Sequence, residues 1–319
     1  MREFDLIRWI RREAPADERV LVGIGDDAAL VRNLDSATLL TTDMLVEGVH
    51  FDLAHASLHD VGWKAMARNV SDIAAMGGRS TAAVMSAALP RGFTEDQARD
   101  LVRGALDCAG GFGARLVGGD ISSTHGPLVI SVALIGDTAG RPPVLRSGAR
   151  PDDALLVTGT LGGSRLGKHL RFRPRQPEGL LLNAHYSPHA MIDISDGLAI
   201  DLHHILEESR VGVKLWATKI PISDDARQAA QADGRSPLDH ALGDGEDFEL
   251  LFTMAEADAA RLLREQPFDT PVTLIGTITP GSEGGTGFQP VNASPGAVLV
   301  LADGSERPLE RKGWEHTTA

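Results

Sequence analysis

The chain has 319 residues, 42% apolar but only 4% aromatic, with 31 basic against 44 acidic side chains and a net charge of −13. That is enough apolar material for one large or two ordinary cores built on Ala, Val, Leu and Ile, and it excludes a disordered chain. The acidic excess opposes a broad nucleic-acid footprint, the lone Cys108 excludes an intrachain disulfide or a thiolate metal cluster, and no run of about 18 apolar residues is present to span a bilayer.

In chain order, the apolar spacing predicts an amphipathic helix over 3–14 with no signal-peptide core, so the cytoplasm is the expected location. Strands follow over 20–24 and 37–43, with the loop 23–29 between apolar runs. Residues 58–76 have helical periodicity and stop at Gly77-Gly78. A buried-strand pattern covers 82–89. A second helix covers 94–112, with Thr94 as N-cap and Glu95 and Asp96 in its first turn. Leu116-Val117 leads into Gly118-Gly119-Asp120, and 128–136 alternates as a strand. The Pro-, Gly- and Arg-rich stretch 137–153 reads as a domain boundary, separating domains at 1–140 and 150–319. Beyond it come strands over 154–158, 191–194 and 249–253, helices over 197–209 and 256–265, and a turn-rich surface insertion over 281–295. Interleaved strands and helices in both halves give an α/β or α+β class.

Acidic residues recur beside Gly, Ser or Thr, at the expected ends of strands: Asp26 and Asp27 in GIGDDAAL, Asp43 in LLTTD, Asp72 in NVSDIAAMG, Asp120 in LVGGD, Asp193 and Asp196 in IDISDGL. One such Asp is ordinarily a turn former or helix cap, and Asp196 before Gly197 suits capping. Their number carries the argument. Carboxylates converging on one cleft repel, and divalent cations relieve that repulsion. Carboxylates with Thr hydroxyls form a hard oxygen set that suits Mg²⁺, which takes further ligands from substrate phosphates. No GxxxxGK[ST] loop, GxSxG elbow or HExxH pair is present. Gly159–Gly163 lacks the lysine of a phosphate loop, His203-His204 point in different directions on a helix, and Cys108 reads as a small core residue.

The ordered series GIGDDAAL, TTDMLVEGVHF, KAMARNVSDIAAMG, LVGGD, RSGARPDD, VTGTLGGS, IDISDGL, GDGEDFELLF and KGWEH resembles the thiamine-monophosphate kinase family over almost the whole chain. That family belongs to the superfamily of aminoimidazole ribonucleotide synthetase and selenophosphate synthetase. The resemblance implies an N-terminal domain that binds ATP and Mg²⁺ and lends strands to a barrel across a homodimer, and a C-terminal α/β domain that completes the site. It implies transfer of the ATP γ-phosphoryl group to thiamine phosphate. By motif, Asp27, Thr41, Thr42, Asp43, Asp72, Asp120, Asp193 and Asp196 would hold several Mg²⁺ ions, with Asp72 bridging. Gly119, Asp120, Arg146 and Ser195 would contact ATP, and His50, Glu246 and Trp314 the thiamine phosphate. The resemblance implies that Asp72, Asp43, Asp120 and Arg146 would form the catalytic set. Lys64 and Asn69 would stand behind them. Asp152 occupies a position where the family generally has glycine. Two alternatives stay open: another ATP-dependent synthetase of the superfamily, or a non-catalytic nucleotide-binding protein. Selenophosphate synthetase would call for a reactive Cys near the N-terminus, and none precedes Cys108.

Overall fold

The computed structural model describes residues 20–22, 26–32, 37–281 and 296–314. The expected helix over 3–14 and residues 282–295 of the insertion lie outside them. The chain divides into two compact units, one reaching to residue 142 and taking in 167–180, the other comprising 143–166 and the chain from 181 onward.

The first unit is a six-stranded sheet carrying two long helices. Strands β1 (Val20–Val22), β2 (Ala29–Arg32), β3 (Ala37–Val46), β4 (Arg79–Pro90), β5 (Arg115–Thr124) and β6 (Val129–Asp137) lie in the order β1-β2-β3-β6-β4-β5. Every neighbour pair is antiparallel except β4 and β5. That parallel pair requires a crossover, supplied by α2 (Glu95–Gly111). Ser57 caps α1 (Leu58–Ala75), its hydroxyl accepting from the Asp60 amide, and Thr94 forms a full capping box with Gln97 at the start of α2. The two helices pack backbone to backbone. A Cβ on Gly62 would meet the Leu101 carbonyl oxygen at 1.9 Å, and one on Gly104 the His59 carbonyl oxygen at 1.9 Å. Only glycine at both positions permits that approach.

Along β3, Leu39, Thr41 and Leu45 are buried while Leu40, Thr42 and Met44 are exposed, the period of a sheet with one covered face. The open face keeps Leu40, Met44, Val84 and Ile135 at 41–53% exposure. Cys108 is fully buried in α2, a small core residue as expected. Burial pushes its thiol pKa upward, which keeps it unreactive.

The second unit holds seven strands in the order β13-β12-β9-β11-β7-β10-β8, namely β7 (Ala154–Thr158), β8 (Ala190–Asp193), β9 (Val211–Trp216), β10 (Leu250–Met254), β11 (Val272–Pro280), β12 (Ala297–Val300) and β13 (Glu306–Pro308). Strands β7, β8 and β10 are buried throughout, the continuous apolar pattern of strands covered on both faces. The helices between them are α5 (Leu198–Ser209), α6 (Asp224–Asp233), α7 (Pro237–Gly243) and α8 (Glu256–Glu265). A short helix, α3 (Lys168–Arg171), belongs to the first unit, and α4 (Gln176–His185) passes from one unit to the other. The α5 side chains Leu198, Leu202, Ile205 and Leu206 join the core formed with β7, β9 and β11. Asp152, where the resemblance led us to expect glycine, has φ +71°; glycine enters that left-handed region freely and Asp tolerates it. No helix among the described residues is long and apolar enough to cross a membrane.

Candidate active site

Three of the acids expected in strand-end loops lie elsewhere. Asp43 sits inside β3, whose alternation continues to Val46, and Asp120 inside β5, which runs on through Ile-Ser-Ser-Thr. Asp72 sits in the last turns of α1. Asp27 lies in the bend before β2, and Asp193 is the last residue of β8.

In the first unit a polar stripe on α1 faces β3. Lys64, Arg68 and Asp72 recur at four-residue intervals, so they share one helix face. The Thr41 hydroxyl donates to Asp72 Oδ2 at 2.5 Å, and Arg68 Nη2 lies 3.0 Å from Asp43 Oδ1. Asp27 and Asp72 each bring a carboxylate oxygen within 4.8 Å of the other, and Asp27 is buried. Two carboxylates and a hydroxyl so close form a donor set of hard oxygens, which fits a small divalent cation. Thr42 points to the open face and donates to the Val132 carbonyl.

Lys64 is fully buried and donates to the His50 carbonyl at 2.7 Å and to His169 Nδ1 at 2.9 Å. His50 lies in the turn after β3, and its Nδ1 accepts from the Val46 amide at 3.0 Å. A ring nitrogen that accepts a backbone N–H carries no proton, so the neutral ring bears its proton on Nε2.

Strand register puts Asp43, Val132, Met85 and Gly119 in one row across β3, β6, β4 and β5. Between α2 and β5 opens a cavity of about 520 Å³, lined by Met85, Leu101, Val102, Leu116, Gly119 and Asp120 among others. Apolar walls with one acid at the rim suit a flat organic group joined to a charged one.

In the second unit, Asp193 and Asp196 flank the loop from β8 into α5. Asp196 is not the cap. The N-cap is Gly197, which makes no side-chain hydrogen bond, and Asp201 Oδ2, one turn into the helix, accepts from the amides of Asp196 and Gly197 at 3.0 Å each. Burial, reinforced by the charges of Asp196 and Asp193, holds the Asp201 carboxyl well above the usual carboxylate range. The Ser195 carbonyl accepts from the Glu246 amide at 2.6 Å and the Asp196 carbonyl from the Trp314 amide at 2.9 Å. Glu246 takes φ +55°. The Arg165 guanidinium stands 5.0 Å from the centroid of the Trp314 ring, within cation–π range. The Arg146 carbonyl accepts from the Ser209 hydroxyl, which itself accepts from the amides of Gly148 and Ala149.

The Gly159–Gly163 segment turns inward. The Gly162 amide donates to Asp247 and the Gly163 amide to Asp244, so the segment is occupied by its own protein. His203 is buried and bonded to the Ala199 carbonyl. Arg68, Arg165, Asp201, Asp244 and Asp247 were not singled out from the sequence. The four-residue spacing from Lys64 through Arg68 to Asp72 was available as a signal, as was an acid in the first turn of a helix for Asp201.

The sequence signature of "AIR synthase related protein, N-terminal domain" matches residues 25–138. A thiamine-monophosphate kinase of Rhodopirellula baltica is 41% identical, over 86% of this chain and 89% of its own. One from Bacillus subtilis is 32% identical over 99% of each chain. A solved structure described as "AaThiL complexed with AMPPCP and TMP" superposes with a TM-score of 0.81 at 31% identity, covering 99% of this chain and 97% of that one. With identities of this size over nearly the full length of both partners, and its hard oxygen donors on β3 and α1, the chain belongs to the thiamine-monophosphate kinase family.

Proposed function

We propose that the protein transfers the γ-phosphoryl group of ATP to thiamine phosphate, giving thiamine diphosphate and ADP, with Mg²⁺ held by its aspartates. The observation that carries the reading is the convergence of Asp27, Thr41 and Asp72 into one oxygen cluster, in a chain whose relatives are thiamine-monophosphate kinases. The neighbour described with AMPPCP and TMP supports a nucleotide and a thiamine phosphate as the two ligands.

In this reading Asp27, Thr41, Thr42, Asp43, Asp72 and Asp120 of the N-terminal domain (1–140), with Asp193 and Asp196 of the C-terminal domain (150–319), would hold several Mg²⁺ ions between them. When bound, the ions would supply positive charge against the phosphate oxygens of both reactants. Gly119, Asp120, Arg146 and Ser195 receive ATP, and the 520 Å³ cavity beside Gly119 and Asp120 takes its apolar end. The Arg146 fork grips phosphate. His50 offers its Nε2 proton to the thiamine phosphate, Glu246 balances the thiamine's positive charge, and Trp314 stacks on it. The protein's work is positioning: two anionic reactants are brought in line while water is excluded. The open apolar face of the first sheet supports a homodimer through that face, and the cytoplasm is the proposed location.

Purified protein with ATP, thiamine phosphate and Mg²⁺ should produce thiamine diphosphate, and a chelator should stop it. Asp72→Asn should lower kcat by about 100-fold or more, since the cluster loses a charge and gains a competing donor. Full turnover by that variant would overturn the metal cluster as the seat of the chemistry.

A further inference from the structure

The loop from Asp193 to Gly197 carries two of the proposed metal ligands, and its backbone is tied on every side. The Ile194 amide donates to the Glu249 carbonyl, and the Ile194 carbonyl accepts from the Phe248 amide, both at 2.8 Å. The Ser195 and Asp196 carbonyls hold the amides of Glu246 and Trp314. The amides of Asp196 and Gly197 are both held by Asp201 Oδ2. Thus two of the expected metal ligands and two of the expected substrate contacts hang on one stretch of five residues. A single side chain, that of Asp201, fixes its last peptide.

The usual device is barred at this place. A helix start is ordinarily satisfied by a side-chain oxygen on the N-cap residue. The N-cap here is Gly197 at φ +130°, where a Cβ would lie 3.1 Å from the Gly243 Cα and from the Leu242 carbonyl oxygen. Capping therefore falls to a residue inside the helix. Placing a carboxyl group there buries a polar side chain close to the Asp193 and Asp196 carboxylates, a cost that a purely structural cap on the surface would not incur.

We propose that Asp201 is a positioning residue for the reaction: by pinning the Asp196–Gly197 peptide it sets the aim of the Asp193 and Asp196 carboxylates and, through the Ser195 and Asp196 carbonyls, the placement of Glu246 and Trp314. This rests on the kinase reading for the roles of those four residues, but the mechanical link from Asp201 to the loop does not.

The test compares Asp201→Leu, which removes both acceptors at similar size, with Asp201→Asn, whose amide oxygen can still accept both N–H groups. Leu202→Ala, which opens a cavity in the same helix turn, controls for simple destabilisation. Three measurements are made well below each melting temperature: amide exchange at Asp196 and Gly197, Mg²⁺ binding to the protein alone by calorimetry, and KM for thiamine phosphate. Asp201→Leu should speed exchange at those two amides and weaken Mg²⁺ by about tenfold or more, the usual consequence of losing a group that orients ligands, and should raise KM. Asp201→Asn should stay within about threefold of wild type on all three, and Leu202→Ala should leave them unmoved. Where Asp201→Leu does not accumulate folded, Asp201→Ser is read by the same three measurements, since its short side chain cannot reach both amides. Unchanged Mg²⁺ affinity despite fast exchange, or the same losses in Leu202→Ala, would overturn the proposal. Loosened amides and weakened Mg²⁺ in a protein whose wild type never forms thiamine diphosphate would retain the positioning role and sink the kinase reading instead.

Discussion

Gly118 and Gly119 stand side by side in β5, yet the structure asks for glycine at only one of them. A methyl group at Gly119 would lie 1.9 Å from the Met85 carbonyl oxygen and 2.9 Å from its carbonyl carbon, whereas at Gly118 the nearest atom is Val84 Cγ1 at 3.9 Å. A carbon–oxygen contact settles near 3.3 Å, so Gly119→Ala must drive β5 about 1.4 Å away from β4. That is more than a quarter of the roughly 4.8 Å strand spacing, and no flexible side chain is present to absorb it. Overpacking costs about 1–3 kcal/mol, and stretching two ladder hydrogen bonds about 1 kcal/mol each. Together they come to about 3–5 kcal/mol. The same shift displaces Asp120 and one wall of the cavity. We expect Gly119→Ala to lose that much stability in urea denaturation and to raise KM for ATP by about tenfold or more. Gly118→Ala should stay within about 1 kcal/mol of wild type, with a gain in strand preference to offset any loss. Equal behaviour of the two variants, or a Gly119→Ala protein of normal stability and ATP affinity, would refute the argument.

Trp314→Ala should raise KM for thiamine phosphate more than it lowers kcat, because stacking acts on bound substrate and transition state alike; a pure kcat loss in steady-state assays counts against it. Burial holds the His203 pKa at about 4, against 6.5 for a free ring. A base whose folded pKa is depressed lends stability in full above pH 6.5, and that stability drains away as pH falls toward 4. The difference amounts to about 3 kcal/mol. His203→Leu should therefore flatten the stability profile between pH 6.5 and 4, and an unchanged slope in denaturant titrations would contradict this.

Sequence reasoning located what is governed locally. The start of α2 after Thr94 follows from capping chemistry, and the end of α1 from the Gly77-Gly78 pair just beyond it. It fell short where the pattern depends on partners far along the chain. β9 and β11 have few local signals because their pairing is with each other and with β12 and β7, α6 is mostly polar, and α7 is only seven residues long. The acids were legible as a set but not by position. Asp43 and Asp120 look like loop residues because Asp is rare inside strands, yet register places one in the row of Gly119 and the other one step along. Asp201 was hidden by Asp196, which has the better local claim to the cap and does not use it.

The meeting of α1 and β3 shows why the oxygen cluster could not be drawn from either motif alone. Four residues of helix advance about 6.0 Å and two residues of strand about 6.8 Å. Over one such step the two ladders stay within about 1 Å of each other, so Arg68 and Asp72 on the helix meet Asp43 and Thr41 on the strand, in reversed order. A second step doubles the mismatch, and the strand position it would reach is Leu45, an apolar core residue. Lys64 reaches the His50 carbonyl in the turn beyond. The same spacing that builds the oxygen cluster thus ends it after one repeat. It hands the next helix residue to the turn that carries His50, so the proposed metal cluster and one proposed substrate contact are set by the packing of a single helix on a single strand.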